Sequence, residues 1–309
     1  MSATGLAAVV RRFGAPDVIQ IERVTVPDPD AGQVRIRVHA AGVGPWDAAV
    51  RSGSTAFPAQ LPVVLGAELS GEVESVGPGV DSLRVGDVVF GVTGERLTGA
   101  YAEVALAKVV TIHRRPTLLT SIEAAAVPVV GCTALQMLEL GGVLARRRTL
   151  VLGAAGNVGA WATRLAIRRG AEVVGVVEKL ELPEARRLGA REMVTSVPRW
   201  SPPFDLLLDT VGGALARSAV RLLKPGGRLI SSVESIEPAS LGRQDVSSRS
   251  FMVAVTSARL DLLSRWIEAG GFPVPLGEVL PLWDAARAHR KLEGLEPRAP
   301  GSLVLRVSD

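Results

Sequence analysis

Cysteine is almost missing from this chain: Cys132 stands alone among 309 residues. One thiol closes no intramolecular disulfide and builds no multi-thiolate zinc site, so stability has to come from buried cores. Aromatic residues are scarce as well. Phe, Trp and Tyr make up 4% of the chain, Tyr101 is the single tyrosine, and there are three histidines, His39, His113 and His289. That supply leaves few platforms on which nucleic-acid bases could stack. Charge of one sign is also lacking, because 35 Lys and Arg against 31 Asp and Glu leave a net +4, with no basic block longer than Arg146-Arg147-Arg148. The pI of 9.8 resembles that of a nucleic-acid binder but reflects arginine usage, and the small net charge without a basic block argues against such a partner. No apolar run reaches the roughly 18 to 20 residues of a bilayer span. The longest, Ala124 to Leu138, contains Pro128, Gly131, Thr133 and Gln136 and reads as a buried helix. At the N-terminus the apolar patch precedes Arg11 and Arg12, the reverse of a signal peptide's order, and the expectation is a cytoplasmic protein without membrane contact.

What is present is apolar content, 47% of residues, enough for two well-buried cores. From Leu6 to about Val110, short alternating runs such as QVRIRVHAAGV, GEVESVG and VGDVVFGV are broken by Gly and Pro every eight to twelve residues. This pattern predicts a twisted antiparallel barrel. After Pro116 the texture turns helical, with Thr120 or Ser121 as cap and Glu123 behind it, and the apolar segment predicts one helix to about Leu144. From Thr149 strands and helices alternate: TLVLGA, a helix from about Val158 to Arg169, EVVGVV, a helix over Pro183 to Leu188, EMVTSV, FDLLLDT, a helix over Leu215 to Leu223, RLISSV and SFMVAV. Continuous apolar strands separated by amphipathic helices predict an α/β doubly wound parallel sheet. Beyond Ala258 shorter units return, and the closing strand SLVLRV is expected to rejoin the first domain.

The sharpest motif is VLGAAGNVG, residues 151 to 159. Gly153 permits a tight turn, Gly156 lets backbone approach a pyrophosphate, and Gly159 allows close packing of helix on strand, while the helix N-terminus offers free N–H groups to phosphate. Two residues, Ala154 and Ala155, separate the first two glycines where the usual fingerprint has one. Glu178, nineteen residues after Gly159, stands where a carboxylate accepts from the adenosine ribose and repels a 2′-phosphate; Lys179 beside it favours the phosphate. NADH and NADPH both stay open. In LLDTVGG, Val211 and Gly212 follow a strand at the carboxyl edge, and KPGGRLISS brings Ser231 to the same edge.

Together, HAAGVGPWDAAVRSG, LPVVLGAELSGEVESVGPGV, VGDVVFG, GAYAEVAL, EAAAVPVVGCTALQML, VLGAAGNVG, LDTVGG and LKPGGRLIS resemble, in order, the medium-chain dehydrogenase/reductase superfamily and its zinc-independent quinone oxidoreductase branch. The resemblance implies a GroES-like β-barrel catalytic domain over residues 1–121 and 258–309, a Rossmann nucleotide-binding domain over residues 122–257, and a nicotinamide cofactor in the cleft between them. It also implies a homodimer through the edge strand SFMVAV, since an apolar edge left open invites aggregation. Cofactor-binding residues are expected at Thr133, Gly153, Ala154, Ala155, Gly156, Asn157, Val158, Glu178, Lys179, Val211, Gly212 and Ser231. Zinc-dependent relatives place a Cys ligand at the position of Gly44 and a His at that of Ala67, leaving only Glu68 here. Three protein ligands are needed, so no zinc is expected.

The expected chemistry is hydride transfer from NADPH or NADH to the β-carbon of an enone, a quinone or an α,β-unsaturated acyl substrate, a small hydrophobic unsaturated carbonyl compound. Negative charge developing on the carbonyl oxygen needs donors or a proton source. The candidates are Tyr101 and Asp47, with Asp47 also placed to cap the following helix; the histidines have no evident partner, and Trp46 is the apolar wall. Gly44 is read as supplying room. Two other readings are carried: a biosynthetic enoyl reductase of a polyketide-like intermediate, and a non-catalytic nucleotide-binding protein that kept the fold.

Overall fold

The structure, a computed structural model, describes residues 2–308 apart from 56–58, 95, 143–144, 198–202 and 271–273. The chain divides into two compact units, one of residues 1–129 and 255–309, the other of residues 130–254.

The first unit opens with β1 (Ala3–Val10), β2 (Ile19–Val26), β3 (Gln33–Val43), α1 (Pro45–Ser52), β4 (Val63–Val64), β5 (Glu68–Val76), β6 (Val88–Val92), β7 (Val104–Lys108), β8 (Ile112–Arg114) and α2 (Ser121–Ala125). β1 lies between β2 and β4 in a small antiparallel sheet, while β3 pairs antiparallel with both β5 and β7, and β6 continues from β5 to β8. Alternation along these strands turns Val34, Ile36 and Val38 of β3 and Leu69 and Val73 of β5 into one core with Tyr101 and Ile112. Each large aliphatic buried this way contributes about 1.5–3 kcal/mol.

The long helix expected from Ser121 breaks after α2, and a second helix, α3 (Pro128–Gly141), begins at Pro128; Leu144 lies outside the described residues. Proline lacks the N–H that would continue the first helix and disfavours helical backbone in the residue before it, so Ala126 and Val127 fall between the two. Thr120 caps α2 and trades hydrogen bonds with Glu123, as the sequence predicts.

The second unit carries β9 (Arg148–Leu152), α4 (Asn157–Arg168), β10 (Glu172–Val176), α5 (Leu182–Ala185), β11 (Glu192–Val194), β12 (Phe204–Asp209), α6 (Gly213–Ala219), β13 (Leu223–Ser231) and β14 (Ser247–Ser250). Among the described residues the strand order is β11-β10-β9-β12-β13-β14, every pair parallel. This is the 3-2-1-4-5-6 order of a doubly wound sheet, whose direction of growth reverses between β9 and β12. The last strand differs from the expected SFMVAV. Pairing with β13 is made by SSRS, and of the expected residues only Ser250 lies in a strand. Register wins over hydrophobicity here, because polar Ser247 to Ser250 lie opposite Arg228 to Ser231, and Met252 beyond the pairing is 70% exposed.

The chain then returns to the first unit with α7 (Ser257–Glu268), β15 (Leu276–Pro281), α8 (Ala285–Leu292) and β16 (Ser302–Arg306). β16 joins β3 antiparallel, Leu303 opposite Val43 and Leu305 opposite Ala41, so the tail completes the first sheet as expected. β15 adds a parallel pairing to β16, an exception to the antiparallel pattern read from the sequence.

Candidate active site

The switch between β9 and β12 falls where VLGAAGNVG turns. Gly153 has φ +70, and a Cβ on it would lie 2.6 Å from Oγ1 of Thr210, whose hydroxyl donates to Leu152 O at 2.7 Å. A Cβ on Gly159 would overlap the carbonyl oxygen of Gly153. These two glycines are demanded by the fold itself. Gly156 is different: its φ is −66, and an added Cβ would meet only Gly153 O at 3.3 Å, a tight contact that a shift of a few tenths of an ångström relieves, so the fold demands glycine here far less than at the other two positions. Open space over a glycine at a helix N-cap is what a bound pyrophosphate needs. The first helical hydrogen bond of α4 runs from Ala160 N to Gly156 O, and the N–H groups of Asn157 and Val158 precede it without a helical acceptor. The N–H of Ala154 is spent on Val176 O at 3.0 Å.

Around this turn the other expected cofactor residues are distributed unequally. Val211 is 48% exposed just after β12, and Gly212 follows it with φ +78. Both are held by Asp209, a buried carboxylate that accepts their N–H groups at 3.0 and 2.8 Å and the Ser231 hydroxyl at 2.7 Å. Ser231 Oγ also accepts from Val233 N and Glu234 N at 3.2 Å, so the side chain is committed within the fold and leaves any ligand contact to backbone. Asp209 was missed as a site residue. Its signal was legible as an Asx turn in Asp-Thr-Val-Gly. Ala155 lies in the turn half-buried, Thr133 is buried on α3, and Glu178 and Lys179 stand exposed just beyond β10.

In the first unit, GVGPWD forms the entry to α1, with Gly44 as N-cap, Pro45 in the first turn and Asp47 at the third position. Asp47 is fully buried and accepts three hydrogen bonds: from Gly44 N at 2.8 Å, Ala67 N at 3.1 Å and the Tyr101 hydroxyl at 3.1 Å. Burial pushes its pKa up to about 7 against the opposing pull of those three donors. Glu68, at the start of β5, is 3% exposed and accepts Val129 N at 2.7 Å; burial, with the charge of Asp47 adding to it, pushes its pKa up to about 8. Tyr101 is also fully buried, and burial followed by the charge of Asp47 raises its pKa. The two acids expected to serve catalysis thus face each other inside the fold, with no surface for a substrate. Sequence could not show that, because Asp47 and Tyr101 are 54 residues apart.

Gly44 also departs from expectation. A Cβ there would overlap Cζ2, Cε2 and Cη2 of Trp46, so the space a larger residue would use is filled by the indole rather than left open. Trp46 is half-buried, and its Nε1 is buried without an acceptor.

The histidines have partners after all. His289 is fully buried on α8, its Nδ1 is 3.2 Å from Nη1 of Arg51, and its ring meets Tyr101 edge-on with centroids 5.9 Å apart. Burial, then the Arg51 charge, drives its pKa down to about 3 and keeps it neutral. His113 Nε2 lies 3.6 Å from Asp261, and His39 Nδ1 lies 3.4 Å from Ser121 Oγ.

The positions that hold zinc in metal-dependent relatives offer Gly44 and Ala67, neither with a donor, and Glu68, which already accepts a backbone N–H. Among the described residues no group of three or more His, Cys, Asp or Glu could hold a metal. This donor set does not fit a catalytic zinc. No helix among the described residues is long and apolar enough to cross a membrane.

A doubly wound sheet with a phosphate-ready turn and a GroES-like β-domain in one chain define an NAD(P)H-dependent oxidoreductase. Residues 30–117 match the alcohol dehydrogenase GroES-like domain, and residues 188–305 match the zinc-binding dehydrogenase family. The quinone oxidoreductase of Sus scrofa is 32% identical, across 94% of this chain and 95% of that one. The 2-methylene-furan-3-one reductase of Solanum lycopersicum is 31% identical across 84% of this chain and 68% of its own. The solved quinone oxidoreductase of Coxiella burnetii superposes with a TM-score of 0.89 over 99% of this chain and 100% of that one, at 28% identity. The chain belongs to the medium-chain dehydrogenase/reductase superfamily, in its quinone oxidoreductase branch.

Proposed function

We propose that this protein is a zinc-independent reductase that uses NADPH or NADH to reduce the C=C bond of an enone, a quinone or an α,β-unsaturated acyl compound. The observation that carries the metal-free part is the pair Gly44 and Trp46, where an indole occupies the space of the missing ligand side chain. A quinone oxidoreductase and an enone reductase among the relatives support the acceptor class.

The bound nicotinamide supplies the hydride. This chain's part is to hold and orient. The open face of Gly156 and the N–H groups of Asn157 and Val158 receive the pyrophosphate, and the Asp209 turn fixes the backbone of Val211 and Gly212. The half-buried face of Trp46 offers a flat apolar wall to a conjugated substrate. Asp47 and Tyr101 hold each other and donate nothing outward, so the proton that completes the reduction comes from water. A second copy paired along the outer edge of the parallel sheet goes with this reading, supported by exposed Met252 beside β14.

The test is a spectrophotometric assay of NADPH and NADH oxidation against enones, quinones and enoyl thioesters, run beside alcohol oxidation with the oxidised cofactors. Turnover of conjugated acceptors without alcohol oxidation is expected. Cofactor binding with no turnover on any acceptor would leave a nucleotide-binding protein and end the reductase reading.

A further inference from the structure

Tyr101 has unusually little freedom. Its backbone N–H donates to Leu65 O and its carbonyl accepts Ala8 N–H, both at 2.8 Å. Its ring is pressed onto Gly66, where φ is +92 and any Cβ would overlap ring atom Cδ1. His289 meets that ring edge-on, and His289 is itself held by Arg51, which is 3% exposed and also bonds Glu293 at 2.6 Å and Gly14 O at 3.0 Å. All this fixes one hydroxyl, whose partner is Oδ2 of Asp47. The same Oδ2 accepts Gly44 N–H, and Oδ1 accepts Ala67 N–H.

We propose that Tyr101 is a positioning residue for the reductase site: its hydroxyl holds the Asp47 carboxylate in the orientation that grips the Gly44 and Ala67 amides, and so fixes the turn that carries the Trp46 wall. The Glu293–Arg51–His289 chain, supplied largely by the C-terminal segment, aims the Tyr101 ring. The substrate-wall role rests on the reductase reading; the grip on the turn does not.

An ionised carboxylate accepts all three bonds, whereas a protonated one has a single acceptor among these partners for its own O–H, the Tyr101 hydroxyl, because the two amides only donate. The charged and titratable groups facing Asp47 and Tyr101 are Glu68 at the start of β5, Arg51 on α1, and His289 on α8. Tyr101 is among the groups that favour the ionised form of Asp47, so removing the hydroxyl lets Asp47 keep its proton to higher pH.

The experiment is amide hydrogen exchange at Gly44 and Ala67 in the full chain and in Tyr101→Phe, which keeps the ring, together with kcat and KM across pH. Tyr101→Phe is expected to exchange these two amides at least ~10-fold faster, as befits loss of one hydrogen bond to a charged group. Its acid limb of kcat/KM should move to higher pH, with kcat falling more than KM rises. Unchanged exchange and an unchanged limb would overturn the role and leave Tyr101 as packing. Should Tyr101→Phe fail to fold, Glu293→Ala decides, since it removes one end of the chain that aims the ring: the two amides should exchange faster than its loss of global stability accounts for, and exchange that rises only in step with that loss would overturn the proposal. A protein inactive on every acceptor would defeat the reductase reading while the exchange result still judges Tyr101.

Discussion

The indole of Trp46 stands where a side chain on Gly44 would stand. Backbone conformation does not demand glycine there, since φ −134 and ψ 168 suit any residue, and the nearest constraint is the ring. Gly44→Ala should therefore lose about 1–3 kcal/mol through overpacking. Most of the loss should return in Gly44→Ala/Trp46→Leu, because residues that share one space are not additive. Denaturant melts of the four proteins decide it; strictly additive losses would mean that the two side chains do not compete.

Gly156 and Gly159 separate fold from function. Gly159→Ala drives a Cβ into Gly153 O and should prevent accumulation of folded protein. Gly156→Ala should fold at a cost under about 1 kcal/mol yet bind NADPH and NADH at least ~10-fold more weakly, a loss of about 1.4 kcal/mol in binding. Calorimetric titration of the purified variant checks this. Unaltered affinity would remove Gly156 from the pyrophosphate site.

Glu68 makes a pH prediction. Its folded-state pKa of about 8 lies above its ordinary 4.5, so the unfolded chain releases this proton first as pH rises. Stability falls through that window and the loss is complete above about pH 8. Asp47 acts in the same direction up to about 7, and His289 acts in the opposite direction below its ordinary 6.5. Between those limits Glu68 dominates. Melting temperature should decline from near pH 7 to past pH 8 in the unaltered protein and decline less in Glu68→Gln; parallel curves would show that Glu68 is not buried as described.

Arg51 is a buried cation of the first unit, and Glu293 is its carboxylate partner. Glu293→Ala should destabilise by about 1–3 kcal/mol, less than a fully enclosed pair would lose, because Glu293 keeps 31% of its side chain exposed. Glu293→Gln should recover part of that by keeping an acceptor. Chemical denaturation of both variants tests the pair, and a loss near zero for Glu293→Ala would count against it.

Local rules carried the parts of the fold that depend on neighbours in sequence. The glycine spacing from Gly153 to Gly159, the Thr120 and Glu123 cap and the return of the tail were all legible, since each rests on a turn, a cap or an apolar period. Residues that meet across the sequence were not. Arg51 and His289 are 238 positions apart and Asp47 and Tyr101 54, and nothing in their local patterns pairs them. Trp46 was read as a wall, but its claim on the space at Gly44 depends on a ring orientation that no sequence pattern reports. The edge strand failed for a related reason: FMVAV has the apolar composition of a strand, yet pairing with β13 is taken by SSRS just before it.

The proposed reductase transfers hydride without a metal. The direct measurement is oxidation of NADPH and NADH by an enone or quinone, made on protein dialysed against a strong chelator and verified free of zinc. Full activity before and after dialysis, unchanged by added zinc, is expected from a site with Gly44 and Ala67 at the ligand positions. Activity that disappears with the metal and returns with zinc would contradict it.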